Sequence, residues 1–223
     1  MRRSREALAA LAALLAVPAA LHAAGVIWWE AERPAETNFP QRTWFTPKNA
    51  AEKDVLSEGA WISSDGQRRG PALFLKYRAD VPQAGSYAFW TRKFWKHGPF
   101  RWRFDAGPWR TCGRDIALAD NVELRKFVCA NWVALGKVEL AKGARTLHIE
   151  LLAKEGEKAT SAFDCFALAP GPFTPRGKLR PGAKLNRAPP GWFPFEPDPD
   201  TFGKAALDLC DLNYIVCAAH SNL

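Results

Sequence analysis

The sequence predicts an all-β protein: an antiparallel β-sandwich (jelly roll) with long N-terminal loops and an extended, proline-rich C-terminal tail. Three observations lead there. Short segments rich in aromatic and β-branched residues recur between turn signals from Pro71 to Pro170, with little helix among them. Two of these segments alternate with the period of a half-buried strand. Ten Trp and fourteen Phe supply a large aromatic core, so stability does not require a disulfide scaffold.

The elements follow in chain order. Val26–Glu32 (Val-Ile-Trp-Trp-Glu-Ala-Glu) suits a strand. Residues 33–70 are broken by Pro34, Pro40 and Pro47 and read as loop packed over the sandwich. Within that loop, Ala51–Leu56 can form a short helix and Ala60–Ser63 a short strand. Ala72–Arg78 is β-prone and ends in the turn residues around Pro82 and Gly85. Ser86–Trp95 is a strong strand candidate. Phe100–Asp105 sets Trp102 and Phe104 on one face and Arg101, Arg103 and Asp105 on the other. Trp90, Trp102 and Phe104 are assigned to the core. Strands follow at Lys126–Cys129 and Asn131–Leu140, where Gly136 marks a bulge. Arg145–Leu152 alternates again, with Leu147, Ile149 and Leu151 on the buried side. Ala162–Ala169 is the last strand.

Both ends differ from this central part. Arg2, Arg3 and Arg5 precede an apolar run, Ala7–Ala20, and the small residues Ala19, Ala20, Ala23 and Ala24 follow. A basic start, a short apolar stretch and a small-residue exit describe a secretory signal peptide over residues 1–24. The run is short for a bilayer core of roughly 30 Å. The mature chain is therefore expected in the periplasm, at the cell surface or outside the cell, with no transmembrane segment. Nine of the seventeen prolines lie from Pro170 onward. Residues 171–204 read as a linker, and 205–223 as a short segment that can start a helix, as expected of a truncated or shortened product.

The formal charge of +8 falls to about +6 without Arg2, Arg3, Arg5 and Glu6. The basic residues are dispersed and the chain is exported, which argues against nucleic acid. A mildly positive field suits an acidic glycan or an anionic envelope surface. The five cysteines, Cys112, Cys129, Cys165, Cys210 and Cys217, contain no Cys-x-x-Cys pair, which argues against a zinc knuckle. Cys112–Cys129 is the most local disulfide available, and the odd count leaves one thiol over.

Several segments together resemble family 6 and family 35 carbohydrate-binding modules. Trp28-Trp29-Glu30-Ala31-Glu32 is similar to their opening Glu-x-Glu strand. Gly85–Arg92 resembles their "Gly-x-Tyr-x-hydrophobic-x-x-Arg" strand, Val133–Leu151 their Leu-Gly hairpin, and Phe163-Asp164-Cys165-Phe166 their closing strand. The likeness covers Ile27 to Pro170 and implies a galactose-binding-like sandwich at residues 25–170. It also implies a structural calcium held by Glu30, Glu32 and Asp164. Calcium takes six to eight oxygens, and the alternation of Glu30 and Glu32 puts both carboxylates on one strand face. The other reading is two solvent-facing acids. Where related modules often offer an asparagine before the last strand, this chain has Lys154–Ser161, which leaves the glycan open.

Sugar binding needs flat aromatic faces beside polar groups. Trp95, next to the His97-Gly98-Pro99 loop, is the expected platform, with Trp61 and Trp109 as weaker candidates. Arg92 is a candidate for a carboxylate or sulfate on the glycan. His97 has no second histidine at ligand spacing, so it reads as a loop or structural residue. The sequence carries no Gly-x-Ser-x-Gly elbow, no His-Glu-x-x-His and no marked pair of carboxylates. It therefore reads as a noncatalytic carbohydrate-binding accessory domain of a larger exported protein. The alternative is a structural or protein-interaction sandwich without a sugar site.

Overall fold

In the computed structural model, residues 25–181 are described; the expected signal peptide and residues 182–223 lie outside them. Eleven strands are described: β1 (Ile27–Glu30), β2 (Glu36–Thr37), β3 (Ile62–Ser64), β4 (Phe74–Val81), β5 (Gly85–Lys93), β6 (Phe100–Phe104), β7 (Arg110–Cys112), β8 (Val122–Arg125), β9 (Val128–Leu140), β10 (Gly143–Leu151) and β11 (Ser161–Ala169). One short helix, α1 (Ala50–Val55), and a single 3₁₀ turn, Ser57–Gly59, interrupt them. The all-β antiparallel sandwich is thus the architecture found. No helix among the described residues is long and apolar enough to cross a membrane.

The strands form two antiparallel sheets. One runs β1-β11-β5-β9-β8, and the other β2-β4-β10-β6-β7. β1 and β3 share one edge of β11: β1 pairs with Cys165–Leu168 and β3 with Ser161–Phe163. The alternation in Phe100–Phe104 and Gly143–Leu151 does what it predicts. Phe100, Trp102, Phe104, Leu147, Ile149 and Leu151 all point into the inter-sheet core. There they meet Tyr77, Phe89, Phe163 and Phe166, with Phe89 packed edge-on to Trp102 at 4.9 Å and to Phe104 at 5.2 Å. Edge-to-face contacts of this kind contribute about 0.5–1.5 kcal/mol beyond area burial.

β11 departs from alternation. All nine of its residues are buried, because the six-stranded sheet is covered on both faces. Its outer face carries Trp28, Trp90, Trp132 and Phe173 over Cys165 and Ala167. A second apolar cluster of Leu56, Trp61, Phe94, Leu124, Val128, Ala130 and Ala162 also packs outside the main core. Trp90 is therefore half-buried on the outer face, edge-on to Phe173, while Trp102 and Phe104 occupy the core as expected.

Several expectations shift. Lys126 and Phe127 form the β8–β9 turn rather than the start of a strand, and β2, β7 and β8 are elements the sequence did not mark. β5 stops at Lys93, so Trp95 lies in the following turn. Cys112, Cys129 and Cys165 are buried free thiols. The expected Cys112–Cys129 disulfide is not formed: Cys112 lies on β7 of one sheet and Cys129 on β9 of the other, each as a free thiol. Residues 171–181, the first part of the expected linker, lie along the sandwich: Gly177 donates its N–H to Asp120 at 2.7 Å and accepts from Trp132 Nε1 at 2.8 Å.

Candidate functional site

The residues singled out for ligand binding are not brought together. Trp61 is buried and donates Nε1–H to the Phe45 carbonyl at 2.7 Å, so it is a core tryptophan. Arg92 is also fully buried. Its Nη1 donates to Asp164 at 2.7 Å and to the Val55 carbonyl at 2.9 Å, which leaves it no access to a ligand. A guanidinium cannot shed its proton at this depth, so β5 can bury Arg92 only against a carboxylate. Trp109 is half-buried, and the guanidiniums of Arg101 and Arg103 sit 4.4 and 4.3 Å from its ring centre. Trp95 is half-buried against the cluster that contains Phe94 and Trp61, and Lys96 Nζ lies 4.3 Å from its ring centre.

Among the described residues, the aromatic rings most open to solvent are others. Trp44 is 54 % exposed and Phe127 is 78 % exposed. Trp44 is held firmly for an exposed side chain. Its backbone N–H donates to Asp65 at 2.6 Å and its backbone carbonyl accepts from Arg125 at 2.7 Å, while Phe45 packs edge-on to its ring at 5.0 Å. Phe45 in turn contacts Phe94 and His97, anchoring the loop on the second cluster. Around Trp44 stand Arg125, 4.7 Å from the ring centre, and Lys48, 5.3 Å away. The buried carboxylate of Glu52 gathers both neighbours: it accepts from Arg125 at 2.5 Å and from the Lys48 N–H at 2.8 Å. Asn49 caps α1 through the Glu52 N–H at 2.9 Å, which fixes Glu52 in place. Two residues beyond Arg125, Phe127 occupies a left-handed turn position (φ 69°), a conformation that bulky residues rarely adopt. Lys126 Nζ lies 5.2 Å from its ring centre.

The result is an exposed indole on a pinned stretch of backbone, with Lys48 and Arg125 beside it and Arg125 paired to the buried Glu52, while Phe127 protrudes from the turn that follows Arg125. Sequence reasoning missed both rings. The available signal was a Trp-Phe pair between Pro40 and Pro47, with Arg42 and Lys48 beside it. A cleft of about 380 Å³ also opens between Gly98-Pro99, Arg114 and the β10–β11 loop. Its lining includes Glu157, Lys158 and Thr160 but no aromatic ring.

Glu30, Glu32 and Asp164 lie at the β1–β11 end of the six-stranded sheet. Burial first, and then the charges of Glu30 and Asp164, raise Glu32 to about 7. Burial likewise raises Asp164 to about 7 against the opposing pull of Arg92. The implied calcium can be tested against the bonds these oxygens make. Asp164 accepts the Ser57 N–H at 2.9 Å on one oxygen and Arg92 at 2.7 Å on the other. Glu30 Oε1 accepts Trp28 Nε1 at 2.9 Å and Arg180 at 2.5 Å. The second oxygens of Glu30 and Glu32 are buried without a hydrogen-bond partner. Among the described residues, no group of three or more His, Cys, Asp or Glu side chains is placed to hold a metal ion. With two guanidiniums already on these carboxylates, the residues do not fit the six to eight oxygens that calcium takes.

No protein-family model matches the chain, and neither does any curated protein sequence. Similar solved structures include carbohydrate-binding modules and an enzyme that contains one. The CBM35 from Cellvibrio japonicus Abf62 is 7% identical, with a TM-score of 0.42 over 65% of this chain and 92% of that one. The CBM6 module of Cellvibrio mixtus lichenase 5A, solved with cellotriose, is 15% identical, with a TM-score of 0.40 over 65% of this chain and 95% of that one. The GH26-CBM35 β-(1,4)-mannanase of Podospora anserina is 15% identical, with a TM-score of 0.41. There the match covers 68% of this chain but only 29% of the mannanase. The likeness is one of fold.

Proposed function

We propose that this chain is an exported carbohydrate-binding module, an accessory domain rather than an enzyme, and that its site is the surface around Trp44. The observation that carries this reading is the Trp44 side chain, more than half exposed, on a backbone held at its main-chain N–H by Asp65 and at its main-chain carbonyl by Arg125, with Phe45 edge-on to the ring. A pre-positioned flat ring costs little entropy on binding and matches the apolar face of a pyranose. Lys48 and Arg125 beside it provide donors for hydroxyls or for a carboxylate. With a net charge of about +6 on the mature chain, these cations favour an acidic glycan over a neutral one. The signal-like N-terminus supports delivery to the periplasm, the cell surface or the medium, where such glycans are found.

The test is an affinity-gel and glycan-array screen of the full chain, comparing uronic-acid and sulfated polysaccharides with neutral ones. Trp44→Ala is expected to weaken retention at least tenfold without changing the melting temperature. Trp95→Ala, at a half-buried ring, is expected to lower stability more than binding. Retention unchanged in Trp44→Ala overturns this location of the site. Failure of the unaltered chain to bind any glycan leaves the protein-interaction sandwich, for which exposed Trp and Arg side chains are equally suited.

A further inference from the structure

The carboxylates at the β1–β11 end are buried, and isolated buried charge is costly unless a cation compensates it. Glu30 is 4% exposed. Its ion pair is to Arg180, which comes from a segment 150 residues away in sequence. Arg180 Nη2 also donates to Glu58 at 2.7 Å, and its guanidinium lies 6.0 Å from the Trp28 ring centre.

Nothing about this approach is incidental to residues 171–181. Phe173 packs edge-on to Trp90 at 6.0 Å and to Trp132 at 6.1 Å. Gly177 is held from both sides by Asp120 and Trp132. Lys178 Nζ pairs with Asp54 of α1 at 2.6 Å. Three successive anchorages, at Phe173, Gly177 and Lys178, thus lead the chain across the outer face of the six-stranded sheet and deliver Arg180 to Glu30.

We propose that Arg180 is the resident cation of the buried Glu30 carboxylate, supplied by the chain itself in place of a metal; Glu58, which Arg180 also reaches, is paired with Arg33 as well. Residues 171–181 are then an integral strap of the module, and its stability does not depend on calcium. Arg180 is a positioning residue here: it acts through Glu30 and touches no ligand.

The experiment is thermal unfolding of the full chain with added calcium and with EDTA, in the absence of any glycan, so that its outcome is separate from that of the binding screen. The unaltered chain is expected to melt at the same temperature in both. Arg180→Ala is expected to melt about 3–8 °C lower, the shift being limited by the partial exposure of Arg180. Arg180→Lys should recover part of that loss by restoring the charge. In a Glu30→Gln background, Arg180→Ala should cost less than half as much, which a merely space-filling arginine would not show. A melting temperature that rises with calcium and falls with EDTA in the unaltered chain overturns the proposal. So does an Arg180→Ala shift that is the same with Glu30 or Gln at position 30.

Discussion

His97 lies buried between Phe45, at 4.4 Å, and Phe94, at 4.0 Å. Burial, and after it the charges of Lys93 and Arg114, lower its pKa to about 3. The unfolded chain takes up a proton near 6.5 that the folded chain refuses until about 3. Stability contributed by neutral His97 is therefore complete above 6.5 and drains away as pH falls toward 3, by about 1.4 kcal/mol per unit. Glu32 and Asp164 have raised pKa values and act in the opposite sense between the ordinary carboxylate range and about 7. The histidine must therefore be read by difference. Urea unfolding of the unaltered chain and of His97→Gln should differ by an amount that shrinks by about 2 kcal/mol between pH 6.5 and pH 5; a constant difference would mean that His97 does not resist protonation. The Arg92–Asp164 pair should respond asymmetrically. Asp164→Asn strands a guanidinium that cannot deprotonate and should cost about 3–5 kcal/mol. Arg92→Met leaves a carboxyl already raised by burial, which can take up a proton, so it should cost less by the same measurement. Equal costs would show that Asp164 stays ionised whether or not Arg92 is present. At this scale the sequence announced residue types but not depth: Arg92 lies in a strand that reads plainly, yet the cover on that strand's outer face comes from α1 and distant loops.

At the level of elements, β4, β5, β6, β10 and β11 were legible because each carries its own alternation or apolar run. β2, β7 and β8, of two to four residues, were not, since a strand that short is defined by its partner's hydrogen bonds more than by its own side chains. The bulge in β9 was legible from one residue. Gly136 has φ 106°, and the register against β5 slips between Phe89 and Trp90 where Gly136 and Ala134 pair. The space beside Gly136 is open enough for a methyl group, the nearest atom being Arg110 Nη1 at 3.8 Å. Gly136→Ala should therefore lose stability through backbone strain alone, by about 1–3 kcal/mol. Gly66, whose surroundings are also open and whose φ is not positive, is the control and should tolerate alanine with little loss. Comparable losses at both positions in chemical denaturation would remove strain as the explanation. The Trp44 surface was illegible for a related reason. Its loop is ordered by Asp65 and Arg125, from separate parts of the chain, and no local pattern in residues 41–49 reports them.

For the whole molecule, the decisive question is where the module ends. Composition places a linker from residue 171, because proline density rises there and prolines remove ladder donors. Composition does not register that Phe173 covers Trp90 and Trp132, that Gly177 sits between Asp120 and Trp132, or that Arg180 closes on Glu30. Each contact joins residues at least 41 apart in sequence, so a window-based reading sees only the prolines. These contacts make a boundary prediction. A chain ending after Pro181 keeps all of them, whereas one ending after Pro170 exposes the tryptophan face and leaves Glu30 without Arg180. The two Phe173 ring contacts, the two Gly177 hydrogen bonds and the partly exposed Lys178 and Arg180 ion pairs, less the entropy regained by the strap, come to about 2–4 kcal/mol. For a sandwich of this size that is a fall in melting temperature of about 5–15 °C. The shorter chain should also show red-shifted tryptophan emission at temperatures where both chains are folded, because Trp28, Trp90 and Trp132 gain contact with water. Equal melting temperatures and identical emission would mean that the strap rests on the sandwich without supporting it, and the module would then end at Pro170, where the change in composition puts it.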